Sequence, residues 1–371
     1  MKIAAVETHL IRVPCDIGAP PTPFAGVGWT SIDTLFLRIV TDAGLEGWGE
    51  GFGHASCAVT RAAIDTQLAP AALGEDARDI RRLTARLAHR LHLFGRNGPH
   101  VCALSALDMA LWDIAGKAAG LPLWRLLGGA PVGTLPAYAS LLRYSEPAAV
   151  ARACERALAE GFRDVKLHEI DVPQVAAARA SVGPDAAIML DTNCPWTVDH
   201  ALAMARRLRP FDLAWLEEPV WPPEDHAGLA RVRREGGIPI AAGENAAGLH
   251  DFAHQFDAGA LDIAQPSVAK IGGITEVLKI AALAEARGVR LVPHCAYFGP
   301  GWLASLHLAA VVAPTAPVER LFVRLEASPY HELVLAEGGR VRVPDGPGLG
   351  RDPDPEVLRR YAMSPPTVLR A

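Results

Sequence analysis

Four apolar runs in the second half of the chain stop at polar or charged residues, and they do so at nearly constant intervals. They are Asp164-Val165-Lys166-Leu167-His168, Ile188-Met189-Leu190-Asp191-Thr192-Asn193, Ala214-Trp215-Leu216-Glu217-Glu218-Pro219 and Ile240-Ala241-Ala242-Gly243-Glu244-Asn245. The steps from 166 to 191, 191 to 217 and 217 to 244 are 25, 26 and 27 residues. Such a length holds one strand, one helix and two short loops. Repeated, it predicts a parallel α/β barrel of the TIM type, with functional residues at the C-terminal strand ends. Three further runs, 261–265, 291–294 and 321–326, continue the series and end at Gln265, His294 and Glu326.

Side chains alternate along a strand, so Lys166 shares a side with His168, and Asp191 with Asn193. Asp191, Glu217 and Glu244 end consecutive strands and are expected to converge. Three carboxylates at one point repel unless a cation neutralises them, and an all-oxygen set suits a hard divalent ion, most simply Mg²⁺. A single acid here would read as a surface charge; three at this spacing read as a metal site. Of the adjacent pair, Glu217 is the expected ligand and Glu218 a supporting residue, because Pro219 ends the strand directly after them.

Ahead of the barrel the pattern changes. Residues 2–13 and 34–40 read as strands, 41–44 as a hairpin turn, and 58–68, 80–91 and 99–119 as helices. Leu104, Leu107, Leu111 and Ile114 lie on one face of the last of these, with Pro99 near its start and Gly120-Leu121-Pro122 at its end. The expected organisation is an α+β capping domain over 1–128, a barrel of seven βα units and a final strand over 129–330, and a segment over 331–371 that returns to the capping domain. With 371 residues, half of them hydrophobic and 21% charged, the chain can bury two such cores, which excludes global disorder. A net charge of −5 without blocks of like charge gives no footprint for nucleic acid. Cysteines 15, 57, 102, 154, 194 and 295 form no CxxC pair and read as reduced thiols. The start Met1-Lys2-Ile3-Ala4 lacks a long apolar leader and no stretch is long enough to span a membrane, so a cytoplasmic protein is expected.

These segments resemble the enolase superfamily, and within it the mandelate racemase-like group. The resemblance covers nearly the whole chain. It rests on residues 105–117 with Leu126-Leu127-Gly128-Gly129, on Asp191-Thr192-Asn193, Glu217-Glu218-Pro219 and Gly243-Glu244-Asn245, and on Lys270-Ile271-Gly272-Gly273, Pro293-His294 and Leu325-Glu326. It implies Mg²⁺-assisted removal of the proton α to a substrate carboxylate, through an enediolate. Lys166 would add positive charge beside that carboxylate, His168 would act as base, His294 would stand on the opposite face, and Glu326 would donate a hydrogen bond. Two departures stand out. His168 occupies a position where much of the family has lysine, and Ser267 occupies one where aspartate usually pairs with the histidine of the seventh strand.

The resemblance also assigns substrate selection to the loop from Cys15 to Trp29. That loop carries no lysine, arginine or histidine, but Phe24 and Trp29 offer an apolar lid, and Tyr297 is expected in the same wall. Asp16 and His54 are candidate partners for hydroxyls, and Asn193 and Lys270 are further candidate contacts. A small carboxylate is the expected partner. Dehydration of a sugar acid or related hydroxy acid ranks first, ahead of racemisation or epimerisation of a 2-hydroxy or amino acid and cycloisomerisation of a sugar lactone. A silent sugar-acid binder would have no use for a base on each face. The family's habit implies a homo-oligomer.

Overall fold

The computed structural model describes residues 1–20, 23–24 and 27–371; the side chain of Phe24, expected in the substrate lid, lies outside that description. Strands β1 (Ile3–Asp16), β2 (Ser31–Thr41) and β3 (Glu46–Gly51) form an antiparallel meander. Its second turn is closed by Thr41, whose hydroxyl donates to the Leu45 carbonyl at 3.0 Å and accepts from the Leu45 amide at 3.1 Å. Helices α1 (Cys57–Ala63) and α3 (Pro99–Ala119) pack on this sheet, and α2 (Ile80–Leu91) packs on α3.

Helix α3 is buried well beyond the single face that its leucines predict. Leu104, Leu107, Leu111 and Ile114 join the core of the capping domain, whereas Ser105 and Asp108 meet the barrel. A helix held between two layers must bury polar residues, and each then needs a partner.

The barrel alternates β4 (Thr134–Ser140), α4 (Pro147–Ala159), β5 (Val165–Leu167), α5 (Val172–Val182), β6 (Ile188–Asp191), α6 (Val198–Leu208), β7 (Leu213–Glu217) and α7 (His226–Gly236). It continues with β8 (Ile240–Ala242), α8 (Leu249–Asp257), β9 (Ile263–Ala264), α9 (Ile274–Arg287), β10 (Arg290–Leu291), α10 (Pro300–Val312) and β11 (Val318–Leu321). Strands β4 to β10 pair in parallel in chain order, and β11 returns beside β4, so the first and last strands adjoin. One apolar layer, including Tyr138, Met189, Trp215, Ala241, Ile263 and Val292, fills the barrel interior. The next inward residues are polar: Ser140, Asp191, Glu217, Gln265 and His294 stand two positions after their apolar neighbours. Glu244 stands three after Ala241, and Gly243, at φ 132°, takes up the extra residue.

The strand expected at 321–326 is displaced. The eighth barrel strand is Val318–Leu321, and the later run contains β12 (Arg324–Leu325), which leaves the barrel to pair with β1 through Cys15↔Leu325. Beyond it, β13 (Arg340–Arg342) pairs with β4 and β14 (Thr367–Arg370) pairs with β1, so the tail clasps both domains.

Candidate active site

Lys166 sits at the centre of the polar layer with no exposure to solvent. Its Nζ lies 2.9 Å from Asp191 Oδ2, 2.6 Å from Glu217 Oε1 and 3.0 Å from Glu319 Oε1. Burial alone would lower its pKa, but Asp191, Glu217 and Glu319 outweigh it and hold the ammonium well above its ordinary value. It is thus a fixed positive charge behind the acids and touches carboxylates rather than open space.

Asp191, Glu217 and Glu244 each offer an oxygen within 4.8 Å of the others. Glu217 Oε2 is oriented by Trp215 Nε1 and Gln265 Nε2, both at 2.9 Å. Glu218 turns away, with φ at 43°, and its Oε2 accepts from Asn245 Nδ2 at 2.7 Å. Lys270 Nζ lies 3.4 Å from Glu244 and 3.2 Å from Asn245 Oδ1.

The donor set fits a divalent cation on charge. Four carboxylates (Asp191, Glu217, Glu244 and Glu319) face two lysines, 166 and 270, which leaves two negative charges. Burial and then Asp191 push the Glu217 carboxyl well above the carboxylate range, a cost that a bound cation would offset. Asn193 Oδ1 is buried without a hydrogen-bond partner. Oxygen ligands and surplus negative charge are what a Mg²⁺ site requires.

Two histidines flank the acids. His168 Nε2 lies 3.4 Å from Asp191 Oδ2, and its Nδ1 lies 2.6 Å from the carbonyl oxygen of Leu141. A carbonyl only accepts, so Nδ1 carries a proton, and in the uncharged form of the ring the lone pair is at Nε2. His294 approaches from the other side, with Nε2 2.9 Å from Glu244 Oε2 and Nδ1 2.8 Å from Ser267 Oγ. Both rings open onto a cavity of about 350 Å³ that is also lined by Trp29, His54, Arg143 and Asn193. Trp29 and Phe52 hold the His54 ring between them, with centroids 4.9 and 4.7 Å away.

Three expected positions change. Glu326 does not reach the site: its side chain is half exposed and accepts from Tyr361 Oη at 2.8 Å and Arg360 at 3.3 Å. The acid on the eighth strand is Glu319, whose Oε1 accepts from Ser140 Oγ at 2.8 Å and whose Oε2 accepts from the Cys295 amide at 2.9 Å. Its signal was spacing, since 319 follows His294 by 25 residues, the interval of the earlier strands. Tyr297 lies outside the cavity wall, buried beneath His294 with its hydroxyl on Ser267. Asp16 likewise points elsewhere, accepting from the Gly18 amide at 2.7 Å. Arg143, Phe52 and Trp215 belong to the site although no strand-end pattern marked them, and Gln265, which ends a marked run, gains its role from its bond to Glu217.

A two-domain chain with an α+β cap over a (β/α)7β barrel, and acids ending its third, fourth and fifth strands, has the architecture of the enolase superfamily. Residues 8–128 match the mandelate racemase / muconate lactonizing enzyme N-terminal domain, and residues 149–357 match the enolase C-terminal domain-like family. The chain belongs to the mandelate racemase / muconate lactonizing enzyme family of that superfamily, and it is an enzyme. It is 36% identical over 97% of its length to a 3,6-anhydro-alpha-L-galactonate cycloisomerase of Streptomyces coelicolor, covering 99% of that protein. It is 33% identical over 90% of its length to a D-galactonate dehydratase of Ralstonia nicotianae, covering 92% of it. A racemase from Streptomyces coelicolor with bound magnesium superposes with a TM-score of 0.85 at 35% identity, over 97% of this chain and all of that one. Among the described residues no helix is long and apolar enough to cross a membrane.

Proposed function

We propose that this enzyme removes the α-proton of a sugar-acid carboxylate with Mg²⁺ held by Asp191, Glu217 and Glu244, and then expels an oxygen from the β-carbon. The observation that carries the reading is the pairing of a cation-demanding acid triad with a histidine that lines the same cavity and is held by the Leu141 carbonyl at Nδ1. An α-proton beside a carboxylate is very weakly acidic, so a preorganised positive site contributes more than a strong base does. Bound there, Mg²⁺ supplies the positive charge that offsets the negative charge of an enediolate. His168 accepts the proton at Nε2, and the Leu141 carbonyl keeps its ring in the required tautomer. Lys166 holds Asp191 and Glu217 in place and offsets part of their charge. Arg143, His54 and Asn193 supply hydrogen bonds to hydroxyls, and Trp29 and Phe52 give an aromatic face for a sugar carbon chain.

Two relatives frame the β-oxygen that leaves. A dehydratase expels a hydroxyl as water. In a 3,6-anhydro-galactonate the oxygen on C3 belongs to a ring, so the same elimination opens the ring and gives an isomer. Both outcomes need one enediolate and one β-oxygen, and the 36% identity to the cycloisomerase favours the ring-opening variant as a second reading. The test is incubation with a panel of aldonic acids, anhydro-aldonic acids and sugar-acid lactones in D₂O with Mg²⁺, followed by NMR. A 2-keto-3-deoxy acid is the expected product; acids that exchange deuterium and only change configuration would overturn the elimination in favour of epimerisation.

A further inference from the structure

The seventh-strand histidine is held by a three-membered chain, and the direction of its hydrogen bonds is fixed at the buried end. Ser267 Oγ lies 2.8 Å from His294 Nδ1 and hydrogen-bonds the Tyr297 hydroxyl; Ser267 is fully buried and Tyr297 is 3% exposed. The Tyr297 phenol stays protonated, since burial pushes its pKa well above the ordinary value. Among the described residues Ser267 Oγ is its hydrogen-bond partner, so the phenol proton points there. A hydroxyl that accepts from the phenol directs its own single proton elsewhere, and the neighbour at hand is His294 Nδ1. Nδ1 is then an acceptor, and the neutral ring carries its proton on Nε2. The reverse chain, with Nδ1–H donating to Ser267 and Ser267 to Tyr297, strands the phenol proton in a buried place. The assignment itself stands on Tyr297 and survives if Glu244 turns to a cation.

We infer that Tyr297 and Ser267 are positioning residues that hold His294 as an Nε2–H hydrogen-bond donor, the opposite tautomer from His168. The site then has one base, His168, and one donor, His294, on its two sides. A donor at Nε2 cannot take an α-proton, so abstraction is confined to the His168 face. What His294 offers is a hydrogen bond to the oxygen that gathers charge as it departs. The tautomer stands independently of the proposed reaction, whereas the donor role rests on it.

The test is nitrogen NMR of substrate-free, Mg²⁺-loaded enzyme labelled with [15N]histidine, with His294→Asn used to assign the signals. The wild type is expected to show a directly protonated Nε2 and a bare Nδ1 for His294. Tyr297→Phe removes the donor that sets the direction, and a mixture of tautomers or a shift towards Nδ1–H is expected. In Ser267→Asp a carboxylate accepts from both Tyr297 and Nδ1, and full inversion to Nδ1–H is expected. A wild-type His294 protonated on Nδ1 would overturn the inference, and so would a folded Tyr297→Phe protein with the wild-type pattern. The functional arm uses epimeric sugar acids in D₂O. The wild type should exchange the α-proton of one C2 epimer, and Ser267→Asp should gain exchange of the other. If the tautomers come out as stated but no sugar acid exchanges at all, the proposed reaction fails while the chain of hydrogen bonds stands.

Discussion

Replacing Glu50 by glutamine isolates one buried charge that couples the capping domain to the catalytic loop. Glu50, the penultimate residue of β3, accepts from the Gly301 amide at 2.8 Å, at the first turn of α10, just beyond the loop that carries His294 and Tyr297. Complete burial pushes its carboxyl from 4.5 to about 7, and the amides of Gly301 and Gly299 pull it back only in part. The folded value lies above the unfolded one, so the stabilisation is fully present below pH 4.5 and is lost as the pH rises through 7. At about 1.4 kcal/mol per pH unit the gap amounts to roughly 3 kcal/mol. Glutamine keeps the shape and the acceptor oxygen but does not titrate. Denaturant unfolding at fixed protein concentration should therefore show the wild type losing roughly 3 kcal/mol more than Glu50→Gln between pH 4.5 and 8. Asp108, likewise raised to about 7 by burial against the N-terminus of α9, contributes the same sign to both proteins and cancels in the comparison. Parallel pH curves for the two proteins would refute the reasoning.

Glu319→Gln should leave Lys166 facing two carboxylates and reduce α-proton exchange on the order of 100-fold, whereas Glu326→Gln should stay within about twofold, as measured by deuterium incorporation. Glu217→Gln should weaken Mg²⁺ binding by more than the roughly 10–100-fold typical of an outer partner, while Glu218→Gln retains most of the affinity in calorimetric titration. Gly273→Ala places a Cβ at φ 86° and 2.4 Å from Asp108, so it should destabilise the docking of α3 on α9 by about 1–3 kcal/mol in thermal unfolding at pH 7.

The barrel was legible because its period is a physical length: one strand, one helix and two turns repeat near 26 residues, and burial forces each inward acid to the same level. The acid triad followed from that phase alone. The eighth strand was not, because Val318-Glu319-Arg320-Leu321 buries two charges and looks like surface, while Leu321-Phe322-Val323-Arg324-Leu325 looks like a core strand. What reverses the reading is tertiary: Glu319 is neutralised by Lys166, and Arg320 is buried over the Phe298 ring at 4.6 Å with the Val334 carbonyl at 2.6 Å. Phase also placed Glu217 and Glu218 on opposite sides, and Pro219 marked the end of their strand. Tyr297 was misassigned for a different reason. An aromatic after a strand end suits either a cavity wall or a floor, and only its bond to Ser267 distinguishes them. Phe52, which shapes the cavity from the cap beside the expected His54, sits in a stretch without periodicity, where a pattern has nothing to mark.

The central claim, a single base acting with a divalent cation, is tested most directly by α-proton exchange in D₂O for wild type, His168→Asn and His294→Asn on a sugar acid that the enzyme consumes. The wild type should incorporate deuterium and form product only with Mg²⁺, His168→Asn should do neither, and His294→Asn should keep exchange while losing elimination. Wild-type exchange in His168→Asn would contradict the account.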